Sequence, residues 1–239
     1  MRSYSEITSD GFLLAGGIES GSRSGIYRRF IKRILDVTVA SAALVVCSPL
    51  LLLAALLVML ESRGPVLFKQ QRLGAGGRVF TIYKIRTMVP GSEHEGVRTR
   101  EDDPRVTRLG KILRDWKFDE LPQLWNVIRG DMSLIGPRPL SVAECEVIAS
   151  EFGYQEEHPG FKPTVRPGLT GPEQISRNGN QTYAQRFAIN HDYERGLSFW
   201  LDCRTLLATI GVCRVLTALV GITSLVELLT LVDVLRFGS

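Results

Sequence analysis

This chain contains two long apolar stretches, one towards each end. The segment between them alternates short apolar runs with charged loops. The first, Val37 to Leu60, holds no charged residue and is long enough to span a bilayer, which needs about 20 apolar residues. The second, Leu206 to Leu235, is interrupted by Arg214, Glu227 and Asp233. It lacks the roughly 18 uninterrupted residues of a spanning helix. We therefore predict one or two amphipathic helices in the membrane interface, with a core or partner-binding helix as the alternative.

A proline divides the first stretch. Pro49 removes one helix hydrogen bond, and its ring clashes with the carbonyl of Val45. A kinked spanning helix and a helix that turns back at Ser48-Pro49 both fit the run alone. Positive charge marks the cytoplasmic flank of a membrane segment. Basic residues lie on both flanks: Arg28, Arg29, Lys32 and Arg33 before the run, and Arg63, Lys69 and Arg72 after it. The flanks therefore favour a re-entrant helix broken at Ser48 and Pro49, with both ends in the cytoplasm.

Between the two stretches, the pattern predicts a small mixed α/β domain. Residues 66–68 and 79–83 are typical of strands, and the Gly-Ala-Gly-Gly turn at 74–77 joins them into a β-hairpin. Lys84 and Arg86 follow at alternate positions and so project to one face, either as solvated edge residues or as phosphate ligands. Short helices are predicted over Leu109–Trp116, Gln123–Ile128 and Ser141–Phe152.

These patterns divide the chain into four parts. Residues 1–25, rich in Ser and Gly, are predicted to be a flexible arm, and they lack the features of a signal peptide. Residues 26–62 form the membrane helix, 63–204 the domain with the chemistry, and 205–239 the apolar tail. Within the domain, residues 91–105 are predicted to form a polar surface loop.

Composition narrows the classes of function. The net charge of +4 suits nucleic acid, anionic lipid or a phosphorylated substrate. The four cysteines show no paired spacing and the three histidines no metal-ligand spacing, which argues against a disulfide framework, a zinc site or a Ser-His triad. Because the positive charge clusters beside an apolar run, lipid and phosphate are favoured over nucleic acid.

The acidic pair Asp119-Glu120 is the leading candidate for chemistry. It stands shortly before Pro122, which is tolerated in a first helical turn, and before the helix predicted to begin at Gln123. Unpaired N–H groups and the helix dipole favour anions there and keep a carboxylate ionised. A helix N-cap is the ordinary role of such a pair. A site for a magnesium-bound diphosphate is the alternative.

A second candidate is Arg138, which is held between Pro137 and Pro139. Residues before proline are pushed to extended conformations, so this arginine is stiffened in advance. It can bind a phosphate or carboxylate bidentately. A plain polyproline turn is the competing interpretation.

Taken together and in order, these residues resemble a known family, the bacterial sugar transferases or monotopic phosphoglycosyl transferases. The resemblance covers roughly residues 28–210. The matching pieces are the basic-flanked helix with Ser48-Pro49; Phe68-x-Gln70-x-Arg72-x-Gly74 with Gly77 and Phe80; Lys84-Ile85-Arg86-Thr87-Met88; Asp103-Pro104-Arg105-x-Thr107; Asp119-Glu120-Leu121-Pro122-Gln123-Leu124-x-Asn126; Gly136-Pro137-Arg138-Pro139; and Pro167-Gly168-Leu169-Thr170-Gly171.

The resemblance implies a reaction and roles for residues. Such enzymes move a sugar-1-phosphate from a nucleotide diphosphate sugar, here expected to be a UDP-sugar, onto polyprenol phosphate. It implies that Asp119 is the nucleophile, that it forms a phosphosugar-enzyme intermediate and that nucleoside monophosphate leaves. It also implies that Glu120 helps to hold Mg²⁺. The expected phosphate-binding residues are Lys84, Arg86, Arg105, Pro137, Arg138 and Pro139.

The resemblance also implies a setting. The expected place is the bacterial inner membrane, with the catalytic domain on its cytoplasmic face and in contact with lipid. The expected process is the first step of exopolysaccharide, capsule, O-antigen or glycoprotein glycan assembly, and a homodimer is compatible with it. Pro172-Glu173 departs from the family pattern, in which an aromatic residue or alanine tends to precede the glutamine that is Gln174 here, and this leaves the sugar open. Ile85 and Phe118 depart from the pattern as well. The rival classes are an inactive membrane scaffold and a nucleic-acid binder.

Overall fold

The computed structural model describes residues 23–92, 103–152, 162–176 and 181–212. Within these ranges a long apolar helix precedes a mixture of short helices and strands, which confirms the predicted mixed α/β class. The predictions for residues 1–22, for residues 93–102 of the polar loop and for the tail beyond residue 212 lie outside the described residues.

The first described segment is a helical turn, Arg23–Ile26, followed by one π-helical turn, Tyr27–Ile31, which leads directly into a long helix. The helices are α1 Lys32–Glu61, α2 Arg108–Asp115, α3 Gln123–Arg129, α4 Val142–Phe152, α5 Pro172–Ile175, α6 Tyr183–Gly196 and α7 Phe199–Val212. The strands are β1 Leu67–Leu73, β2 Val79–Ile85, β3 Ser133–Ile135 and β4 Gly168–Thr170. Strands β1 and β2 form the predicted antiparallel hairpin, and β3 pairs with β4 in parallel.

Helix α1 stays helical through Ser48 and Pro49, where the sequence predicts a break. The Ser48 hydroxyl donates a 2.8 Å hydrogen bond to the carbonyl of Val45. Pro49 leaves that carbonyl without its usual N–H donor, so the serine replaces the lost bond. The re-entrant course through a membrane stays a prediction.

One stripe of α1 packs on the domain along the whole helix. Its buried residues are Asp36, Ala40, Cys47, Ala54 and Val58, spaced close to the 3.5-residue repeat of a packed helix. The first half joins the core cluster of α3, and the second half joins the cluster of β2 and α2. Among the described residues, α1 with the π turn before it is the helix long and apolar enough to cross a membrane. Only 17% of its most apolar window is buried, unlike the core helix of a soluble protein.

The start of α1 is tied to α7 by buried polar groups. The Tyr27 hydroxyl and the Lys32 ammonium each donate to Oδ2 of Asp202 at 2.6 Å. The Tyr193 hydroxyl donates to Oδ1 of the same carboxylate, also at 2.6 Å. Charge-assisted bonds of this length are strong, so the membrane helix and α7 are held as one unit.

The side chain of Asn126 fixes α3 against β2. It is fully buried, its Nδ2 donates to the carbonyl of Thr81, and its Oδ1 accepts from the N–H of Tyr83. Because α3 follows the Asp119-Glu120 turn directly, this contact sets the position of that turn relative to β2.

Close backbone packing places the Arg138 loop beside β4. A Cβ added at Gly136 would lie 2.5 Å from the Arg166 carbonyl, and one added at Gly168 would lie 2.1 Å from the Gly136 nitrogen. Neither position has room for a larger residue. The loop that carries Pro137, Arg138 and Pro139 is therefore anchored against β4.

Candidate active site

The acidic pair lies on its own 3₁₀ turn, Phe118–Glu120, and not on α3. Lys117, just before it, adopts φ 58° and ψ 21° and is the non-glycine residue with positive φ among those described. Such backbone strain concentrates at functional sites. The predicted helix from Gln123 is confirmed, but no side chain caps its N-terminus. The N-cap interpretation of the pair is therefore wrong.

Asp119 is buried, and one of its carboxylate oxygens lacks a hydrogen bond within the described part of the chain. The residue is only 7% exposed, and its Oδ1 has no hydrogen-bond partner among the described residues. Burial, followed by the charge of Glu120, raises the pKa of Asp119 from 3.8 to about 6, against the opposing effect of Lys84 and Lys117. The expectation that a helix N-terminus simply keeps this acid ionised needs correction. The carboxylate dominates at pH 7, but its proton leaves near pH 6.

Glu120 has the opposite environment. Lys84 donates a 2.7 Å hydrogen bond to its Oε1. Burial alone would raise the pKa of Glu120, but the charges of Lys84 and Arg138 lower it to about 2. Two adjacent acids with pKa values pushed apart are typical of acids with different tasks. Glu120 is a permanent anion, while Asp119 is the more basic and more nucleophilic carboxylate.

A small polar pocket opens beside this turn. It is lined by Arg72, Ile82, Lys84, Glu120, Gln123, Arg138, Pro139, Gly168, Leu169 and Gln174. Its cavity of about 20 Å³ holds little more than one water molecule, so a larger ligand must displace some side chains. Three of its residues are cations, which suits an anion. Asp119 is not in the lining, but its chain neighbour Glu120 is, and Lys84 of the lining lies close enough for its charge to act on Asp119.

Two arginines in the pocket differ in what they bind. Arg72 donates to Gln70 Oε1 and to the carbonyl of Pro139, and lies 3.9 Å from Glu144. Arg138 is half-buried and makes no hydrogen bond or ion pair among the described residues. Arg138 is therefore available to a ligand, whereas Arg72 holds the loop on which Arg138 lies.

An apolar groove lies on the other face of β2. Ile82 and Lys84 face the polar pocket, and Tyr83 and Ile85 face the groove, as the alternation of side chains along a strand requires. The groove has a volume of about 460 Å³. Its remaining walls come from the middle of α1, the start of β1 and the beginning of α3: Leu44, Leu51, Ala55, Val66, Leu67, Pro122 and Trp125.

Some of the predicted phosphate-binding residues line the pocket, and others lie elsewhere. Lys84, Arg138 and Pro139 meet in the pocket with Glu120, and Pro137 is fully buried behind it. Arg86 lies elsewhere: it donates to the Ser62 carbonyl at 2.8 Å and its hydroxyl at 2.9 Å, at the end of α1. Unpaired carbonyls and the negative dipole end attract a cation there.

Arg105 is also outside the pocket lining. Its guanidinium donates to both oxygens of Asp103, at 2.8 and 2.6 Å, and to the carbonyl of Ser92. The bidentate pair fixes the loop that precedes α2. The resemblance to the family implied that Arg105 binds phosphate, but in this structure it positions a loop.

We expect Arg86→Lys to weaken the fold and to spare the chemistry. A lysine cannot make the forked bonds to Ser62, and loss of buried charged hydrogen bonds costs about 1–3 kcal/mol. Thermal unfolding in detergent should shift to lower temperature, with near-normal turnover per folded molecule. Unchanged stability with lost turnover would instead place Arg86 at the substrate.

Three polar lining residues were not named as site candidates from the sequence: Arg72, Gln123 and Gln174. Arg72 and Gln70 share one face of β1, which is a signal of a polar strand face. Arg72 and Gln123 stand within the quoted family motifs, but the sequence assigned them no role. Gln174 was noted only as the glutamine that follows the departure at Pro172-Glu173. The place of Gln123 in the pocket depends on how α3 packs against β2.

The sequence of the chain is similar to those of one protein family. The profile of the family described as bacterial sugar transferase matches residues 27–216. A UDP-glucose:undecaprenyl-phosphate glucose-1-phosphate transferase of Caulobacter vibrioides is 44% identical over 187 residues, which cover 75% of this chain and 68% of that protein. A UDP-N-acetylgalactosamine-undecaprenyl-phosphate N-acetylgalactosaminephosphotransferase of Aeromonas hydrophila is 43% identical, over 76% of this chain and 43% of that protein.

A third relative is closer in size. The exopolysaccharide production protein ExoY of Sinorhizobium fredii is 38% identical, over 76% of this chain and 85% of that protein. Against several other relatives the chain spans less than half of their length. The matched region includes the hairpin, the acidic turn and the Arg138 loop.

Proposed function

Since the chain belongs to the bacterial sugar transferase family, we propose that it transfers a sugar-1-phosphate from a UDP-sugar to polyprenol phosphate. Two of the three relatives named above, those of Caulobacter vibrioides and Aeromonas hydrophila, carry donors and an acceptor of these classes in their names. The observation that carries the proposal is Asp119, a buried carboxylate with an unpartnered oxygen, set beside a cationic pocket. An uncompensated buried acid is costly and is a candidate for function when it lies at a cleft.

The proposed reaction has two steps at one phosphorus atom. An oxygen of Asp119 attacks the β-phosphorus of the donor, and the bond to the bridging oxygen breaks. Nucleoside monophosphate leaves with that electron pair. A phosphate oxygen of the acceptor then attacks the same phosphorus and displaces the Asp119 carboxylate. The product is a polyprenol diphosphate sugar. A carboxylate ionised above pH 6 needs no separate base for this role.

The pocket side chains position and neutralise the diphosphate. Arg138, without a partner among the described residues, can bind two phosphate oxygens through its planar fork. Lys84 adds a second positive charge while it holds Glu120. In phosphoryl transfer, positioning and electrostatics contribute most of the rate enhancement.

The acidic pair also suits Mg²⁺. This cation takes one or two carboxylates and completes its shell with water and substrate phosphates. The described residues contain no group of three or more His, Cys, Asp or Glu that could hold a metal, so substrate phosphates must supply further ligands. Glu120 would hold the ion through the oxygen that Lys84 does not bind. When bound, Mg²⁺ supplies charge that offsets the diphosphate.

We place the enzyme at the cytoplasmic face of the bacterial inner membrane, with α1 inserted and not spanning. Both halves of α1 pack on the same domain, which supports a course that returns to one side. The exposed apolar residues of α1 include Val45, Val46 and Leu52, around the Ser48-Pro49 position. The apolar groove between α1 and β2 suits the hydrocarbon chain of the acceptor.

The re-entrant course predicts where the N-terminus lies. With the native cysteines replaced, a single cysteine introduced as Ser3→Cys should resist a membrane-impermeant thiol reagent in intact cells and react after lysis. The basic residues on both flanks of α1 are the reason. Labelling of intact cells would replace the re-entrant helix with a spanning one.

Turnover is the direct test of the proposed function. Purified enzyme is supplied with undecaprenyl phosphate, Mg²⁺ and, in turn, UDP-glucose, UDP-galactose and UDP-N-acetylgalactosamine. Release of UMP and formation of a lipid-linked sugar with at least one donor are expected, with loss of both in EDTA. No turnover with any donor would favour an inactive scaffold, and full turnover in EDTA would contradict the role given to Mg²⁺.

A further inference from the structure

Gln174 presents an unpartnered acceptor to the polar pocket. It lies on α5, the short helix after β4, and lines the pocket together with Glu120 and Arg138. Its Oε1 is buried and has no hydrogen-bond partner among the described residues. A buried acceptor left without a donor costs stability, and each such group in a folded protein calls for an explanation.

The neighbour of Gln174 is bound in the opposite manner. Glu173 accepts from Arg186 Nε at 2.6 Å and from Asn190 Nδ2 at 3.1 Å. Arg186 also bonds to Glu144, so α5 is tied to both α4 and α6. These bonds hold α5 in place, and with it the backbone of Gln174, whose side chain lines the pocket.

The chemistry of this oxygen limits its partner. An amide oxygen accepts hydrogen bonds and repels the anionic oxygens of a phosphate, so its partner must be a hydroxyl or an N–H group. This step rests on the proposed function: Asp119 attacks the phosphorus that bears the sugar. The sugar is then bonded directly to the phosphoryl group in the pocket, and the nucleoside is one phosphate further away.

We propose that Gln174 is a specificity-determining residue whose Oε1 accepts a hydrogen bond from a ring hydroxyl or an acetamido N–H of the donor's sugar. A site that hydrogen-bonds one substrate group rejects analogues that lack it, because its own buried group is then left unpaired. The departure from the family pattern at Pro172 and Glu173 directly precedes Gln174 in the chain.

The test combines one substitution with altered sugars. Gln174→Met keeps the length of the side chain and removes the amide. The best of the three UDP-sugars named above is compared with its monodeoxy analogues, and for the acetamido sugar also with the parent hexose. The readout is UMP release in the absence of acceptor, with UDP as the sugar-free ligand in a binding assay. Gln181→Met is the control, because Gln181 carries the same amide outside the pocket lining and bonds to Ser176.

We expect Gln174→Met to lower the second-order rate constant of UMP release with the parent sugar about 10- to 100-fold. With the native enzyme, one analogue should react more slowly than the parent sugar by about the same factor. With Gln174→Met, that analogue should react little more slowly than the parent sugar, since the substitution and the altered sugar remove the same bond. UDP should bind equally to both proteins, and Gln181→Met should leave the ranking of donors unchanged. The proposal is wrong if the losses from the substitution and from the altered sugar add for every analogue. It is also wrong if the substitution weakens UDP binding by as much as it slows the reaction of the parent sugar. A phosphosugar adduct on Gln174→Met would show that the proposed function survives that failure.

Discussion

Replacing Asp119 with asparagine should abolish transfer and stabilise the metal-free protein at pH 8. A neutral amide is a poor nucleophile, so turnover should fall at least 10³-fold, as for other nucleophile replacements. The near-isosteric side chain should preserve the fold. Substantial turnover by Asp119→Asn would mean that Asp119 is not the nucleophile and that the acidic pair only holds a metal.

The stability change has a definite sign. The folded protein binds the Asp119 proton more tightly than the unfolded chain, whose pKa is near 3.8, so the acid costs nothing below pH 4. The penalty grows as pH rises and is complete above the folded pKa of about 6, where it corresponds to roughly 3 kcal/mol.

Unfolding by heat or urea in EDTA at pH 4.5 and pH 8 measures this effect. Asp119→Asn should gain stability mainly at pH 8, and Asp115→Asn, at an exposed position on α2, should change little at either pH. Equal destabilisation at both pH values would show that Asp119 makes structural bonds. An acid that weakens the fold and is required for turnover is typical of a functional site.

Arg138→Lys should lose most activity without loss of folding. The substitution keeps the charge but removes the fork that binds two phosphate oxygens, and we expect kcat/KM to fall about 10- to 100-fold. Since Arg138 has no bonds among the described residues, thermal unfolding should be nearly unchanged. Arg195→Lys, at an exposed position near the end of α6, is the matched control. Normal turnover by Arg138→Lys, or a less stable fold, would make Arg138 part of a structural turn.

Local sequence patterns predicted those helices and strands whose formation depends on residues close together in the sequence. The hairpin follows from two strand-like runs around a glycine turn, and the structure pairs Leu67 with Ile85 and Leu73 with Val79. Helix α3 begins at Gln123, directly after the proline that signals a first turn. Helix α6 was missed, although Thr182 and Gln185 form a capping box before it, because its stretch reads as uniformly polar.

Roles that depend on tertiary packing were not accessible. Arg86 stands beside Lys84 in one motif, yet it binds the backbone of Ser62, which lies 24 residues earlier in the chain. Arg105 pairs with Asp103 of its own motif, but that this pair lies outside the pocket follows only from the folded structure. The sequence placed Asp119 at a helix dipole, whereas its pKa is governed first by burial. Burial of one side chain depends on all elements around it, so only the folded structure shows it.

The covalent step is the central claim, and the mass of the intact protein tests it most directly. Enzyme is incubated with its UDP-sugar and Mg²⁺ in the absence of polyprenol phosphate. We predict release of UMP in an amount comparable to the enzyme and a mass gain equal to one sugar phosphate, both absent in Asp119→Asn. A protein of unchanged mass that releases UMP only after the acceptor is added would contradict the account.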